Sequence, residues 1–252
     1  MDKAYYREYF QFEREHWWFK VRNRIIYENI LRVLNPQNKL TTLNVGVATG
    51  ATSKVLNPFG NVVSVEYDHD CCVYTRQETG IDIIQASALD LPFKDTFFDL
   101  VCAFDVIEHI EDDKKAVKEI IRVCKPGGYV VLTVPANMAL WSTHDIVNRH
   151  YRRYTVQSFI NLLQFSHDTK LIYLSCFNFF LFFPIYLFRL SLRLFPNIIT
   201  RKESGSDFSL FKNNTLINFI FYSIFSFERW LLKFIRFPIG ASIIMVAARN
   251  SM

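Results

Sequence analysis

The chain has 252 residues, half of them apolar, with 25 Phe and a formal charge of +5. That length can bury a substantial core, as one large domain or two small ones. The whole charge excess falls between Arg189 and Arg236, where eight Lys and Arg accompany three acids, so the remainder is balanced and presents no basic half for nucleic acid.

Residues 5–19 are crowded with aromatics: Tyr5, Tyr6, Tyr9, Phe10, Phe12, Trp17, Trp18 and Phe19. They read as a helix packed by one aromatic face, or as a lid bringing the 16–19 patch near a ligand, where an aromatic face favours a cation. Val21, Ile25, Ile26, Ile30, Leu31 and Leu34 then recur at helical spacing, with Arg22, Arg24, Glu28 and Arg32 on the other face, until Asn35-Pro36 ends the run.

Residues 42–45 read as a buried strand that passes into a loop of small residues, Gly46, Ala48 and Gly50, with a helix to follow. A strand turning sharply into a helix leaves backbone N–H groups free for a ligand, and missing side chains let that ligand come close. Residues 61–66 form a second strand with Glu66 at its end, the order of a nucleotide-binding βαβ unit in which the acid takes the ribose hydroxyls. A third strand, 81–85, runs toward Ser87 and Ala88, where a hydroxyl and an N–H are placed to read an adenine edge. The fourth, 98–104, leads into Asp105-Val106-Ile107-Glu108-His109. An amphipathic helix with Ala116, Val117, Ile120, Ile121 and Cys124 inward stops at the breaker Lys125-Pro126-Gly127-Gly128, and 129–134 is the fifth strand. Strands alternating with helices imply a parallel sheet covered on both faces, with ligands at the carboxyl ends of its strands.

In that order these residues resemble the class I S-adenosylmethionine-dependent methyltransferases, strongly over 43–134. The family's acid followed by G-x-G-x-G stands here as Asn44-Val45-Gly46-Val47-Ala48-Thr49-Gly50, with Asn44 for the acid and Ala48 for the middle glycine. The resemblance implies an α/β fold: a Rossmann-like, seven-stranded, mostly parallel sheet whose seventh strand, at 241–248, is antiparallel, with 171–176 as the sixth. It implies S-adenosylmethionine as cofactor, contacted by Asn44, Gly46, Ala48, Gly50, Glu66, Ser87, Ala88, Phe104 and Asp105. Ser87 stands where the family often has Asp. Gly46, Ala48 and Ala51 also fit a degenerate dinucleotide loop, so a nucleotide-dependent oxidoreductase stays open, as does a silent cofactor-binding scaffold on a membrane.

Methyl transfer from a sulfonium needs alignment above all, and a base only when the acceptor arrives protonated. After the fifth strand, His144 is the candidate base, oriented by Asp145, and His109 is a weaker one. His150, Arg152, Arg153 and Tyr154 are candidates to hold the substrate, the arginines an anionic group of it. The alternative is that these charged residues staple the loop to the N-terminal helix. No metal set is visible, because His144 and His150 lack a third ligand at credible spacing.

More than sixty residues separate the sixth and seventh strands, far beyond a hairpin's need, and fifteen of the 25 Phe fall between Phe177 and Phe237. Residues 171–188 carry no charge, but Pro184 interrupts them and Arg189 and Arg193 follow on one face. Further on, Asn218, Tyr222, Ser226, Arg229, Lys233 and Arg236 alternate with Phe219, Ile220, Ile224, Phe227, Leu231 and Phe234, the pattern of an interfacial helix with a basic stripe. Residues 201–207 form the polar loop between the two segments. The expected organisation is a helical lid (1–35), a methyltransferase domain (36–178 and 239–252) and a helical hairpin insertion (179–238). The insertion lies on an anionic membrane surface, on a second subunit or on the domain itself. Five scattered Cys without C-x-x-C spacing, and a start without an apolar leader, imply a reducing cytoplasm, with the protein on the inner membrane face if the insertion binds lipid. The expected function is methyl transfer to a small-molecule, sugar, lipid or lipid-linked acceptor, at oxygen.

Overall fold

The computed structural model describes residues 3–36, 39–164, 168–194 and 214–251. One seven-stranded sheet runs through it. Its strands are β1 (Leu40–Val45), β2 (Gly60–Glu66), β3 (Ile83–Gln85), β4 (Phe98–Phe104), β5 (Cys124–Pro135), β6 (Thr169–Phe177) and β7 (Ser242–Arg249), in the order β3-β2-β1-β4-β5-β7-β6. β7 is antiparallel to both of its neighbours, and the other pairings are parallel. β4 is apolar along almost its whole length and buried, as a parallel strand covered on both faces must be. Helices α3 (Ala51–Leu56), α4 (His69–Thr79), α5 (Asp113–Val123) and α7 (Val156–Gln164) connect the strands. Asp68 and Asp112 begin α4 and α5 by accepting from Cys71 N at 3.1 Å and Lys115 N at 3.0 Å. The strand order reverses between β1 and β4, which opens a crevice at the carboxyl ends of these strands. Gly60 is obligatory at the start of β2: its φ is 140° and a Cβ there would stand 2.2 Å from the Leu40 carbonyl oxygen.

Three local expectations are corrected. The aromatic run at 5–19 is two helices, α1 (Lys3–Glu15) and α2 (Trp17–Ile30), broken at His16, whose extended backbone lets Nδ1 accept from Trp18 N at 3.3 Å. The Lys125–Gly128 breaker does end α5, but it already belongs to β5, with Gly127 at a φ of 75°. Pro184 does not interrupt its helix, which runs on as α8 (Phe179–Leu194).

The second insertion helix, α9 (Thr215–Leu231), lies along α2. Its polar stripe faces the domain: Tyr222 Oη accepts from Arg24 at 2.7 Å, Arg229 pairs with Glu28 at 2.5 Å, and past the helix Arg236 sits 5.2 Å over the Tyr173 ring. Phe219 and Phe234 point outward, 65% and 71% exposed. The predicted loop at 201–207 lies outside the described residues. No helix among the described residues is long and apolar enough to cross a membrane.

Glu228 ties the insertion together. Its buried carboxylate accepts from Phe179 N at 2.7 Å and Phe180 N at 3.1 Å, capping α8, and burial pushes its pKa up to about 7. A carboxyl whose pKa is higher folded than unfolded holds an extra proton in the folded state between those values. Its contribution to stability is therefore full below about 4.5 and is lost as pH rises toward about 7. Glu228→Gln cannot ionise, so its unfolding free energy should gain on the wild type by about 3 kcal/mol between roughly pH 4.5 and pH 8. Urea unfolding of both proteins at the two pH values measures this, and a constant difference would refute it.

Candidate active site

A cavity of about 1000 Å³ occupies the crevice, roofed by α1 and α2 and walled on one side by α8. Its first pole is the loop after β1. Gly46, Ala48 and Gly50 have φ of 69°, 46° and 83°. A Cβ at Gly46 would stand 2.5 Å from Val106 Cγ2, so only glycine fits. Ala48 takes the left-handed conformation at a cost of about 1 kcal/mol. Four of the loop's N–H groups, expected to be free for a ligand, are turned to the fold. Gly46 N and Val47 N donate to Val65 O at 2.8 and 3.2 Å, Gly50 N to Val47 O at 2.8 Å, and Ala48 N to Glu66 Oε2 at 2.9 Å. The tight turn uses its own donors, and what it offers a ligand is close approach.

Glu66 is the centre of this pole. Its other oxygen accepts from Tyr67 N at 2.9 Å and Asp68 N at 3.1 Å, while burial pushes its pKa up despite those bonds. A carboxylate has about four acceptor positions, so three N–H donors leave capacity for a ligand hydroxyl. Ser87, Ala88, Phe104 and Asp105 line the same cavity, as the sequence places them. Asn44 and Gly50 do not. Asn44 is buried beneath the loop, where Nδ2 donates to Thr52 Oγ1 at 2.8 Å and Ser53 Oγ at 3.1 Å, pinning β1 to α3.

The roof supplies residues the sequence did not single out. Arg22, read there as lying on the outer helix face, is buried and forms an ion pair with Asp105, its guanidinium 5.3 Å from the Trp18 ring centroid. Thr49 Oγ1 donates to Glu13, and Arg14 donates to Thr49 O at 2.9 Å, fastening α1 onto the loop. Burial pushes the Glu13 pKa up to about 7. The polarity hidden among aromatics was the missed signal: charged side chains next to Phe12 and Val21 are buried only when something pairs with them.

At the second pole, His109, His144, His150 and Arg153 line the cavity together with Glu108, which the sequence left unassigned. Asp145 does not orient His144. It closes a capping box with Ser142 at the start of α6 (Thr143–Val147), and its Oδ1 accepts from His150 Nδ1 at 2.9 Å and Arg153 Nε at 2.7 Å. Those two partners outweigh burial and hold its pKa well below the usual carboxylate range. His144 is held instead by Asn148, whose Nδ2 lies 3.3 Å from its ring nitrogens. Arg152 and Tyr154 lie away from the cavity. Both bind Asp113, at 2.8 and 2.9 Å, and Arg152 also donates to Glu111 O at 2.7 Å, so the fold's own acids and carbonyls take the donors predicted for substrate. Burial first, then the facing His150, push the His109 pKa down to about 4, so its ring is neutral at neutral pH. Burial and the nearby Asp105 push Glu108 well up. The spacing that showed no third ligand for a metal is answered by the fold: ligand atoms of Glu108, His109 and His150 all lie within 4.8 Å of one another.

Residues 43–132 match the family model described as a methyltransferase domain. An uncharacterized protein of Methanocaldococcus jannaschii is 34% identical over 118 residues, covering 46% of this chain and 55% of its own length. A protein of Mycobacterium tuberculosis, described as a probable S-adenosylmethionine-dependent methyltransferase, is 26% identical over 123 residues, 48% of this chain and 43% of its own. The chain thus spans about half the length of the curated relatives it matches. Among solved structures, a candidate methyltransferase of Bacillus halodurans superposes with a TM-score of 0.58 at 17% identity, over 90% of this chain and 99% of that one. The cavity suits the cofactor of that fold, since a buried acid with acceptor capacity left over faces a glycine-walled approach and aromatic rings that favour a cation. By its sheet order and antiparallel last strand the chain has the fold of the class I S-adenosylmethionine-dependent methyltransferases, and residues 43–132 match the methyltransferase domain of that fold, whose cofactor is S-adenosylmethionine.

Proposed function

We propose that this protein transfers a methyl group from S-adenosylmethionine to a hydroxyl of an apolar acceptor, a lipid or a lipid-linked sugar. One observation carries the reading. A single cavity joins the Glu66 loop, the histidine pole at His144 and His150, and an apolar wall made by Leu181, Pro184 and Phe188 of α8. Its volume admits a cofactor and part of an acceptor together.

S-adenosylmethionine, when bound, supplies a methyl group on a positively charged sulfur. Glu66 would hold the ribose hydroxyls, and Ser87 with Ala88 the adenine edge. The faces of Trp18 and Phe104 and the carboxylate of Asp105 favour the positive charge. α1 and α2 cover this pole and exclude water, so that donor and acceptor meet in one alignment. His144 opens onto the same cavity and is the base assigned to the acceptor proton. The outer faces of α8 and α9, with Phe183, Leu187, Phe219 and Phe234 exposed, support seating of the insertion on a lipid surface or against a second copy of the chain.

His144→Ala should lower turnover with a hydroxyl acceptor by roughly a hundredfold to ten-thousandfold, the usual contribution of a positioned base, while S-adenosylmethionine affinity stays at the wild-type value. Radiolabelled methyl transfer to extracted lipids, with calorimetry for the cofactor, measures both. Unchanged turnover would remove His144 from the chemistry, and binding of NAD in place of S-adenosylmethionine would overturn the function.

A further inference from the structure

Three side chains at the histidine pole have no task in the methyl-transfer reading. Glu108 is completely buried, and neither carboxylate oxygen has a hydrogen-bond partner among the described residues. A buried carboxyl left this way is costly, and the cations nearby are already engaged: Arg22 with Asp105 and Arg153 with Asp145. Beside it, His109 and His150 meet edge to face, ring centroids 4.5 Å apart.

Among the described residues each imidazole has a hydrogen-bond partner at one ring nitrogen. His150 Nδ1 donates to Asp145, which is fixed in turn by Arg153 Nε at 2.7 Å and Ser142 N at 2.8 Å, leaving Nε2 as the lone-pair nitrogen. His109 is hydrogen-bonded to the Asn148 backbone. A carboxylate or carbonyl behind each ring is the arrangement that orients histidines toward a metal.

We propose that Glu108, His109 and His150 form a binding site for a divalent first-row transition metal ion, with its open coordination positions facing the cavity. Two imidazoles and one carboxylate suit zinc, iron, manganese or cobalt, whereas magnesium and calcium prefer oxygen alone. Metal–ligand bonds of about 2.1 Å set ligand atoms roughly 3 to 3.5 Å apart. The present spacing, within 4.8 Å, would have to close by roughly 1.5 Å to reach that on binding. The backbone already couples the two segments, since Tyr151 N donates to Glu108 O at 2.8 Å.

An ion here would take the acceptor's hydroxyl oxygen at an open position and lower its pKa. The proton then passes to His144, an oxygen lone pair forms the new C–O bond, and the electron pair of the broken C–S bond stays on sulfur. The ion changes no oxidation state. That role rests on the methyl-transfer reading, whereas the binding itself does not.

The test uses the full chain, freed of metal by a chelator and titrated with Co²⁺, followed by its visible absorption, with Zn²⁺ and Mg²⁺ as competitors. The expected result is one equivalent of Co²⁺, displaced by Zn²⁺ and not by Mg²⁺. Removing a ligand should cost more than the ten- to hundredfold typical of residues behind one, so Glu108→Gln and His109→Ala should each weaken binding by about a hundredfold or more. Calorimetry with S-adenosylmethionine on the same variants shows that they remain folded, and His144→Ala should keep the Co²⁺ spectrum. No Co²⁺ spectrum in the wild type, displacement by Mg²⁺, or wild-type affinity in both ligand variants would overturn the site. Metal binding without S-adenosylmethionine binding would leave the site standing and remove the methyl-transfer reading, and the reverse result would do the opposite.

Discussion

Glu66→Ala is expected to weaken S-adenosylmethionine binding by about a hundredfold. The Glu66 carboxylate both shapes the cofactor pole and is assigned to the ribose. It accepts from Ala48 N, Tyr67 N and Asp68 N, so it sets the end of β2 and the loop after β1 in one arrangement. A hydrogen bond to a charged acceptor is worth about 1.5 to 3 kcal/mol, and water that enters the vacated space returns part of it. Losing one such bond to the ligand, together with the loop arrangement that the three N–H bonds hold, leaves about 3 kcal/mol, which is close to a hundredfold in affinity. Calorimetry on the variant measures this, with its melting curve as a check that the sheet is intact. Wild-type affinity would show that the cofactor lies elsewhere in the cavity.

The second large effect falls on stability. Arg22→Met should destabilise the protein by about 3 kcal/mol, because it leaves Asp105 unpaired beside the buried Glu108. Breaking a buried pair on one side costs about 3 to 5 kcal/mol, and the lower end applies because the Asp105 side chain keeps 24% of its exposure. Met preserves most of the volume between Trp18 and Phe104, so the loss is electrostatic and not a cavity. The double variant Arg22→Met with Asp105→Asn should recover a good part of it, as removing both partners of a pair does. Urea unfolding of the wild type and the two variants decides the matter, and a single variant as stable as the wild type would show that the pair contributes nothing.

The sheet was legible in the sequence because parallel strands buried on both faces read as unbroken apolar runs, and β4 has the predicted bounds, 98–104. The positions of Glu66, Ser87, Ala88 and Asp105 on the cavity wall were legible for a related reason, since each stands at the end of a strand that could be located or within a few residues past it. The N-terminal break was not legible: an aromatic run continues across His16, and only its backbone conformation separates α1 from α2. Arg22 was assigned outward because spacing reports polarity and not partners, and its partner lies more than eighty residues away in sequence. Distance in sequence also hid the Glu108, His109 and His150 group, which forms only when the loop after β5 folds back over the end of β4.

The position of α8 bears on how an acceptor would be counted. This one helix gives Leu181 and Pro184 to the cavity and Phe183 and Leu187 to the exterior, so the inner wall and the outer apolar face are two sides of the same thin partition. An acceptor embedded in a lipid film against that partition would reach the cavity by sliding sideways, without passing through bulk water. Its supply would then be set by its number per unit area of film. Diluting the film with inert lipid would slow the reaction at constant bulk concentration, whereas adding more film of the same composition would leave the rate of each bound enzyme unchanged.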